Sequence, residues 1–250
     1  MSSDLPGWAL VLILFGVYLF IQAIFNLVKL RLPKDSVGHL QMAFASTIVS
    51  YVWLISATLV FWLALGYKVR VDIPPLYPDI PVIVLALLIC FIVMLVDFYF
   101  RMVVKRRLGG QIIVDAEEIF FLFPTTIGAW ELAFFNLAIL KPFAFELFVR
   151  GVVLPAGQDL LAEFHIIVAN ILAILIACVV EFFLKPNTQR IFTTFFVSFL
   201  LSVVYLASAG GVVSSLVVRL SASVLLSMYL MHLVIKASKE ETLTKESEKK

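Results

Sequence analysis

The sequence predicts an all-α protein, a polytopic integral membrane helical bundle of about seven transmembrane helices plus a short interfacial helix. Hydrophobic residues make up 62% of the chain and charged residues 14%, whereas apolar residues make up roughly 45–50% of ordinary soluble domains. The apolar residues are concentrated in stretches of about 20 residues, the length that a helix needs to cross a bilayer core. We therefore expect a multi-pass protein that is integral to a cellular membrane.

Seven apolar segments carry this prediction, and polar or proline-containing connections separate them. In chain order they are residues 8–29, 40–67, 82–100, 129–154, 160–184, 191–207 and 212–235. The first segment follows no basic residues and is too long for the apolar part of a signal peptide, so we expect it to remain as a span. Residues 109–123 are too short to cross a bilayer and include three acidic residues, which predicts an interfacial or partly re-entrant element.

The fourth segment, residues 129–154, contains a proline and can be drawn in two ways. It is either one kinked helix, in which Pro142 removes a backbone hydrogen bond, or two shorter pieces that Lys141 and Pro142 separate. We favour the kinked helix because it keeps Glu146 and Arg150 within one continuous turn.

The domain organisation is predicted to be simple. Residues 1–235 form a single transmembrane helical domain, and residues 236–250 are a charged, repetitive segment expected to be a disordered cytoplasmic tail. The connections at 29–34, 101–107 and 185–190, together with the tail, hold 14 of the 19 lysines and arginines. Basic residues in short loops mark the cytoplasmic side, so the carboxyl terminus is predicted to be cytoplasmic.

No cofactor or metal is expected from the sequence. Cys90 and Cys178 lie in apolar segments, where a free cysteine behaves as a small hydrophobic residue, and no cysteine or histidine cluster accompanies them. Phosphate-binding loops, nucleotide fingerprints and basic patches typical of nucleic-acid binding are also missing. The expected partner is membrane lipid, without nucleic acid, and the oligomeric state is left open.

Charged residues inside the fourth segment mark the candidate functional region. Glu131, Lys141, Glu146 and Arg150 all lie within a stretch that is otherwise apolar. A charge near the bilayer centre costs about 2.5–3.5 kcal/mol on insertion scales, so such residues usually face a partner or a watery cavity. Glu146 and Arg150 are four residues apart, so they lie on the same helical face and are expected to pair.

The stretch Glu146-Leu-Phe-Val-Arg150-Gly151, followed by Val-Val-Leu-Pro155, resembles the first motif of the CAAX prenyl protease and bacteriocin-processing family. These proteins are intramembrane glutamic proteases, also called abortive-infection proteins. The resemblance covers residues 118–236, the protease-like core, because His232 near the end of the last segment is similar to the family's final histidine. It implies catalytic roles for Glu146, Arg150 and His232, with a membrane-embedded or lipidated polypeptide as the substrate or partner.

Departures from the family pattern predict a weakly active or inactive member. Phe145 stands where the family has the glutamate that activates water, and Lys236 stands where the family has asparagine. Hydrolysis needs a general base, and a carboxylate already stabilised by a guanidinium is a poorer proton acceptor. Glu131, Glu181 or His165 would have to take over as the base, which the sequence leaves open. The resemblance therefore implies either an intramembrane endopeptidase or a pseudoenzyme.

Two other function classes are also open, a transporter or proton-coupled carrier and a non-catalytic subunit of a membrane complex. In a carrier, polar residues near the bilayer midplane would line a path. The candidates are Glu131, Glu146, Asn170, Glu181 and Arg219.

The charges elsewhere in the segments have simpler structural interpretations. Arg219 is expected either to snorkel toward the nearby end of its span or to pair with Glu131. Asp97 and Arg101 are four residues apart near a helix end and are expected to form an ion pair there.

Overall fold

All regular structure in the described part of the chain is helical, which confirms the all-α class. The computed structural model describes residues 7–33, 37–65, 80–101, 127–160, 166–184, 188–207 and 212–247. The helices are α1 Gly7–Leu30, α2 Val37–Leu65, α3 Ile80–Tyr99, α4 (residues 127–160), α5 Ile166–Leu184, α6 Thr188–Ala207 and α7 Val212–Ser247.

Six of these helices are long and apolar enough to cross a membrane, as a multi-pass membrane protein requires. They are α1, α2, α3, α4, α6 and α7. The described apolar part of α5 is shorter, Ile167–Phe182, so a seventh crossing stays a prediction. The interfacial element expected at 109–123 lies outside the described residues.

Helix α4 is continuous, so the alternative of two separate pieces is wrong. Its α-helical parts are Ile127–Phe135, Lys141–Phe148 and Leu154–Leu160, and two π-helical turns, Asn136–Leu140 and Val149–Val153, join them. Backbone hydrogen bonds cross both junctions, from Lys141 N–H to the Asn136 carbonyl and from Leu154 N–H to the Val149 carbonyl. The first π turn ends two residues before Pro142, which lies in the first turn of the middle α-helical part, where a proline is tolerated.

Helix α7 is longer than a membrane crossing. Its 36 residues correspond to about 54 Å at the α-helical rise, against a hydrocarbon core of about 30 Å. The helix continues past residue 235, where the sequence predicts a disordered tail to begin. Lysine, glutamate and alanine favour helix, which accounts for the continuation in a charged segment.

Five helices enclose a central space, and two lie beside them. Each of α3 to α7 contacts its neighbours in the order α4, α5, α6, α3, α7 and back to α4, which closes a ring, and α6 also contacts α7 directly. We call this arrangement the helix ring. Helices α1 and α2 lie outside it and pack mainly against each other and against α4. Helix α4 therefore belongs to the helix ring and also packs against α1 and α2.

The side of α4 that faces α1 and α2 is apolar. Its buried residues Phe148 and Val152 belong to the same cluster as Leu54 and Phe61 of α2. Lipid is as apolar as these side chains, so helices in a membrane associate through close packing and not through exclusion of water. The apolar side of α4 thus fixes the helix in place, while its charged residues lie toward the ring.

Candidate functional site inside the helix ring

Glu146 and Arg150 form the predicted pair, and the pair is buried within the bundle. The exposed fractions of the two side chains are 0% and 1%. Arg150 Nη1 donates to Glu146 Oε2. Arg150 Nη2 also donates to the backbone carbonyl of Ser198, at 2.9 Å, and lies 3.4 Å from Ser202 Oγ. The guanidinium therefore ties α4 to α6 across the helix ring.

Arg219 of α7 is the second cation at Glu146. Its Nη1 lies 3.4 Å from Glu146 Oε1, and its guanidinium carbon lies 5.1 Å from the centre of the Phe145 ring. Both sequence-based expectations for this arginine are wrong, because it is buried inside the bundle and Glu131 is exposed. The cation sits over an aromatic face and beside one carboxylate, which lowers the cost of keeping it in a medium of low dielectric constant.

A contact between α2 and α4 fixes the backbone next to Arg150. The indole N–H of Trp62 donates to the Gly151 carbonyl at 2.8 Å. A Cβ atom at residue 151 would lie 2.9 Å from Trp62 Cζ2, closer than real Cβ contacts. Glycine is therefore required for this approach, and the indole supplies a donor to a carbonyl in the second π turn.

Two further ion pairs lie within the helix ring. Lys141 Nζ is 3.5 Å from Glu181 Oε1, and both side chains are largely buried. Arg101 Nε is 3.0 Å from Asp97 Oδ2, which confirms the predicted pair at this helix end. Gln189 at the start of α6 donates to Asp97 Oδ1 at 2.9 Å.

Side chains of the helix ring line a cavity that is rich in basic residues. Its volume is about 90 Å³, which is room for several water molecules at roughly 10–15 Å³ each. Four basic side chains line it, Arg101, Lys141, Arg190 and Arg219, against two acidic ones, Asp97 and Glu181. Hydroxyl groups come from Thr193, Thr194, Ser223 and Ser227, and apolar side chains complete the wall. The described lining includes Arg219 but neither Glu146 nor Arg150.

His232 is not part of this arrangement. Its side chain is exposed, and it follows Arg219 by 13 residues on the same helix, which corresponds to about 20 Å along the axis. The structure thus brings together Glu146 and Arg150 but not His232. A catalytic role for these three residues stays a prediction, and His165 lies outside the described residues.

The acidic groups of the site are engaged by cations. Arg150 and Arg219 form ion pairs with Glu146. Lys141 forms one with Glu181, and Arg101 forms one with Asp97. Within the described ranges, no three histidine, cysteine, aspartate or glutamate side chains come together as a metal site. The arrangement is suited to binding negative charge, since guanidinium donors and hydroxyls face a shared space.

Comparisons of the chain with protein-family models, with curated proteins and with solved structures return no match.

Proposed function

We propose that the protein is a membrane carrier that binds an oxyanion in the cavity of the helix ring. The observation that carries the proposal is Arg219, a buried arginine that lines this cavity from the first third of α7. Among the described residues its polar contact is the 3.4 Å bond to Glu146. A guanidinium has five N–H donors, so most of them are available to a ligand in the cavity.

The charge of the lining supports an anionic ligand. Four basic side chains face the cavity against two acidic ones among the described residues. A positive excess in a medium of low dielectric constant is expensive, and a bound anion reduces that cost. Intramembrane charges that line a cavity are typical of substrate pathways.

The donors suit an oxyanion in particular. Arginine binds phosphate and carboxylate groups through parallel N–H bonds. Ser223 and Ser227 follow Arg219 at one-turn intervals along α7 and line the same cavity, as does Thr194 of α6. Their hydroxyls donate hydrogen bonds to oxygen atoms that the guanidinium does not reach.

The location of the cavity supports transport of an anion better than binding of an anion alone. It extends from Asp97 and Arg101, at the end of α3, and Arg190, at the start of α6, to Arg219 within α7. By the distribution of basic loops, the end that contains Arg101 and Arg190 is predicted to be cytoplasmic. An anion that enters there would reach a binding residue within the membrane, as a carrier requires.

The test is ligand-dependent stability in nanodiscs of phosphatidylcholine, whose headgroup carries no net charge. One arm adds inorganic phosphate, and a second arm replaces part of the lipid with phosphatidic acid, which distinguishes a free anion from a lipid headgroup. A ligand at 100 times its Kd stabilises the native state by about 2.7 kcal/mol, which raises the unfolding temperature.

We expect stabilisation of the wild type in at least one arm, and its loss in Arg219→Gln. Arg31→Gln is the matched control, because Arg31 is exposed at the end of α1 and should leave the response unchanged. Equal stabilisation of all three proteins, or none of the wild type, would contradict the proposal.

Intramembrane proteolysis is the second candidate function. The buried pair of Glu146 and Arg150, followed by Gly151 packed against Trp62, favours it. The geometry supports it less well than anion binding, because two guanidiniums hold Glu146 and His232 lies about 20 Å further along α7. Cleavage of a lipid-modified peptide by the wild type, lost in Glu146→Gln, would favour it over the carrier.

A further inference from the structure

We infer that Glu146 is the resident counter-ion of Arg219, and that a ligand anion takes its place while Arg150 keeps hold of Glu146. The inference rests on the proposed anion-binding function. It assigns different roles to two arginines that share one carboxylate.

Arg150 is the fixed arginine. It contacts Glu146 through Nη1, and its Nη2 bonds at 2.9 Å to the Ser198 carbonyl. Its side chain is 1% exposed, and the next peptide group is held by the 2.8 Å bond from Trp62 to Gly151. Because these contacts come from α2, α4 and α6, Arg150 cannot follow a ligand without breaking several of them.

Arg219 is the exchangeable arginine. Its bond to Glu146 is long, 3.4 Å, and joins two helices, α7 and α4. Its side chain retains 8% exposure and lines the cavity beside Ser223. The Phe145 ring under the guanidinium supports the cation in either state and does not use its N–H donors.

In both states of the exchange, Arg150 and Arg219 each contact a negative charge. Without ligand, Glu146 provides a negative charge for Arg219. With ligand, the anion provides it and Glu146 stays paired with Arg150 on its own helix. Breaking a buried ion pair is costly because it leaves a bare charge, and this three-membered arrangement avoids that in both states.

Competition between Glu146 and the ligand has a measurable consequence. Neutralising Glu146 removes the internal competitor, so Glu146→Gln should bind the anion more tightly. The competing contact is a single, long one of 3.4 Å, and about 1.4 kcal/mol corresponds to a factor of ten, so the expected gain is about tenfold in Kd. A glutamine oxygen still accepts a bond from Arg150, which preserves the contact within α4.

The experiment measures the Kd of inorganic phosphate, and separately of phosphatidic acid, for the full chain in phosphatidylcholine nanodiscs. Glu181→Gln is the matched control, since it removes one negative charge from the cavity lining without touching Arg219. Glu146→Asp is the second variant. This variant keeps the negative charge next to Arg150, so the test does not depend on the folding of the uncharged Glu146→Gln. Its shorter side chain reaches less far toward Arg219, so it should also tighten anion binding.

We expect a gain of about tenfold for Glu146→Gln, a smaller gain for Glu146→Asp, and no gain for either in an Arg219→Gln background. Equal gains for Glu146→Gln and Glu181→Gln would overturn the inference, because they would reflect general electrostatics. Weaker or unchanged binding in both Glu146 variants would also overturn it and leave anion binding itself intact. No binding of either probe by the wild type would instead overturn the proposed function.

Discussion

The two sides of α4 use opposite chemistry within one helix. Toward α1 and α2, the helix presents Phe148 and Val152 to an apolar cluster. Toward the helix ring, it presents Lys141, Glu146 and Arg150 to charged partners. The comparison indicates that the apolar side positions the helix, and the charged side is where we propose that the anion binds. Separate positioning of this kind holds ionisable groups in place within lipid, where their solvation by water is lost.

The largest expected loss of stability comes from removing Arg150 from the charged side of α4. Arg150→Gln leaves Glu146 buried with a single, long contact to Arg219, and loss of one partner of a buried pair typically costs about 3–5 kcal/mol. Unfolding by denaturant in detergent micelles should show a loss of this size. Arg150→Lys, which keeps a cation beside Glu146, should lose less than half as much, and a lysine variant as unstable as Arg150→Gln would contradict the ion-pair account.

The next largest loss of stability is expected from a substitution at Gly151, on the apolar side of α4. Gly151→Ala places a Cβ atom 2.9 Å from Trp62 Cζ2, and overpacking typically costs about 1–3 kcal/mol. The same unfolding measurement should detect this loss. Trp62→Phe shortens the ring and should rescue part of the stability of Gly151→Ala. If the alanine variant were as stable as the wild type, the close approach of α2 to α4 would not be required.

The smallest loss of stability is expected from a polar contact between α1 and α2, the two helices that pack against the apolar side of α4. Gln22 of α1 bonds to Ser50 of α2, and both side chains are buried. Hydrogen bonds between membrane helices contribute about 0.6 kcal/mol on average, so Gln22→Leu should be destabilised by about that amount. Its phosphate affinity should equal that of the wild type. A change in affinity would show that the two sides of α4 are not functionally separate.

The local parts of the site could be predicted from the sequence, and the long-range parts could not. The pairs Glu146 with Arg150 and Asp97 with Arg101 follow from four-residue spacing on a helix. Arg219 meets Glu146 over 73 positions, and Arg150 meets Ser198 over 48. No periodicity in the chain encodes those contacts, because they depend on how the helices pack.

The fold shows the same division. Composition and the apolar segments sufficed to predict an all-α, multi-pass protein, because the length of a span follows from the thickness of the bilayer. The sequence does not predict the two π-helical turns of α4; the second contains Gly151, whose carbonyl accepts a bond from Trp62 of α2. For His232, position in the chain suggested a place at the site, whereas the helical rise puts it about 20 Å beyond Arg219.

The most direct measurement is a crystal structure of the protein soaked with tungstate, a heavy oxyanion that anomalous scattering locates. We predict a peak in the cavity within hydrogen-bond reach of Arg219, with Glu146 moved away from Arg219 and still bonded to Arg150. An empty cavity, with tungstate bound only at the protein surface, would contradict the central claim that the helix ring contains an anion site.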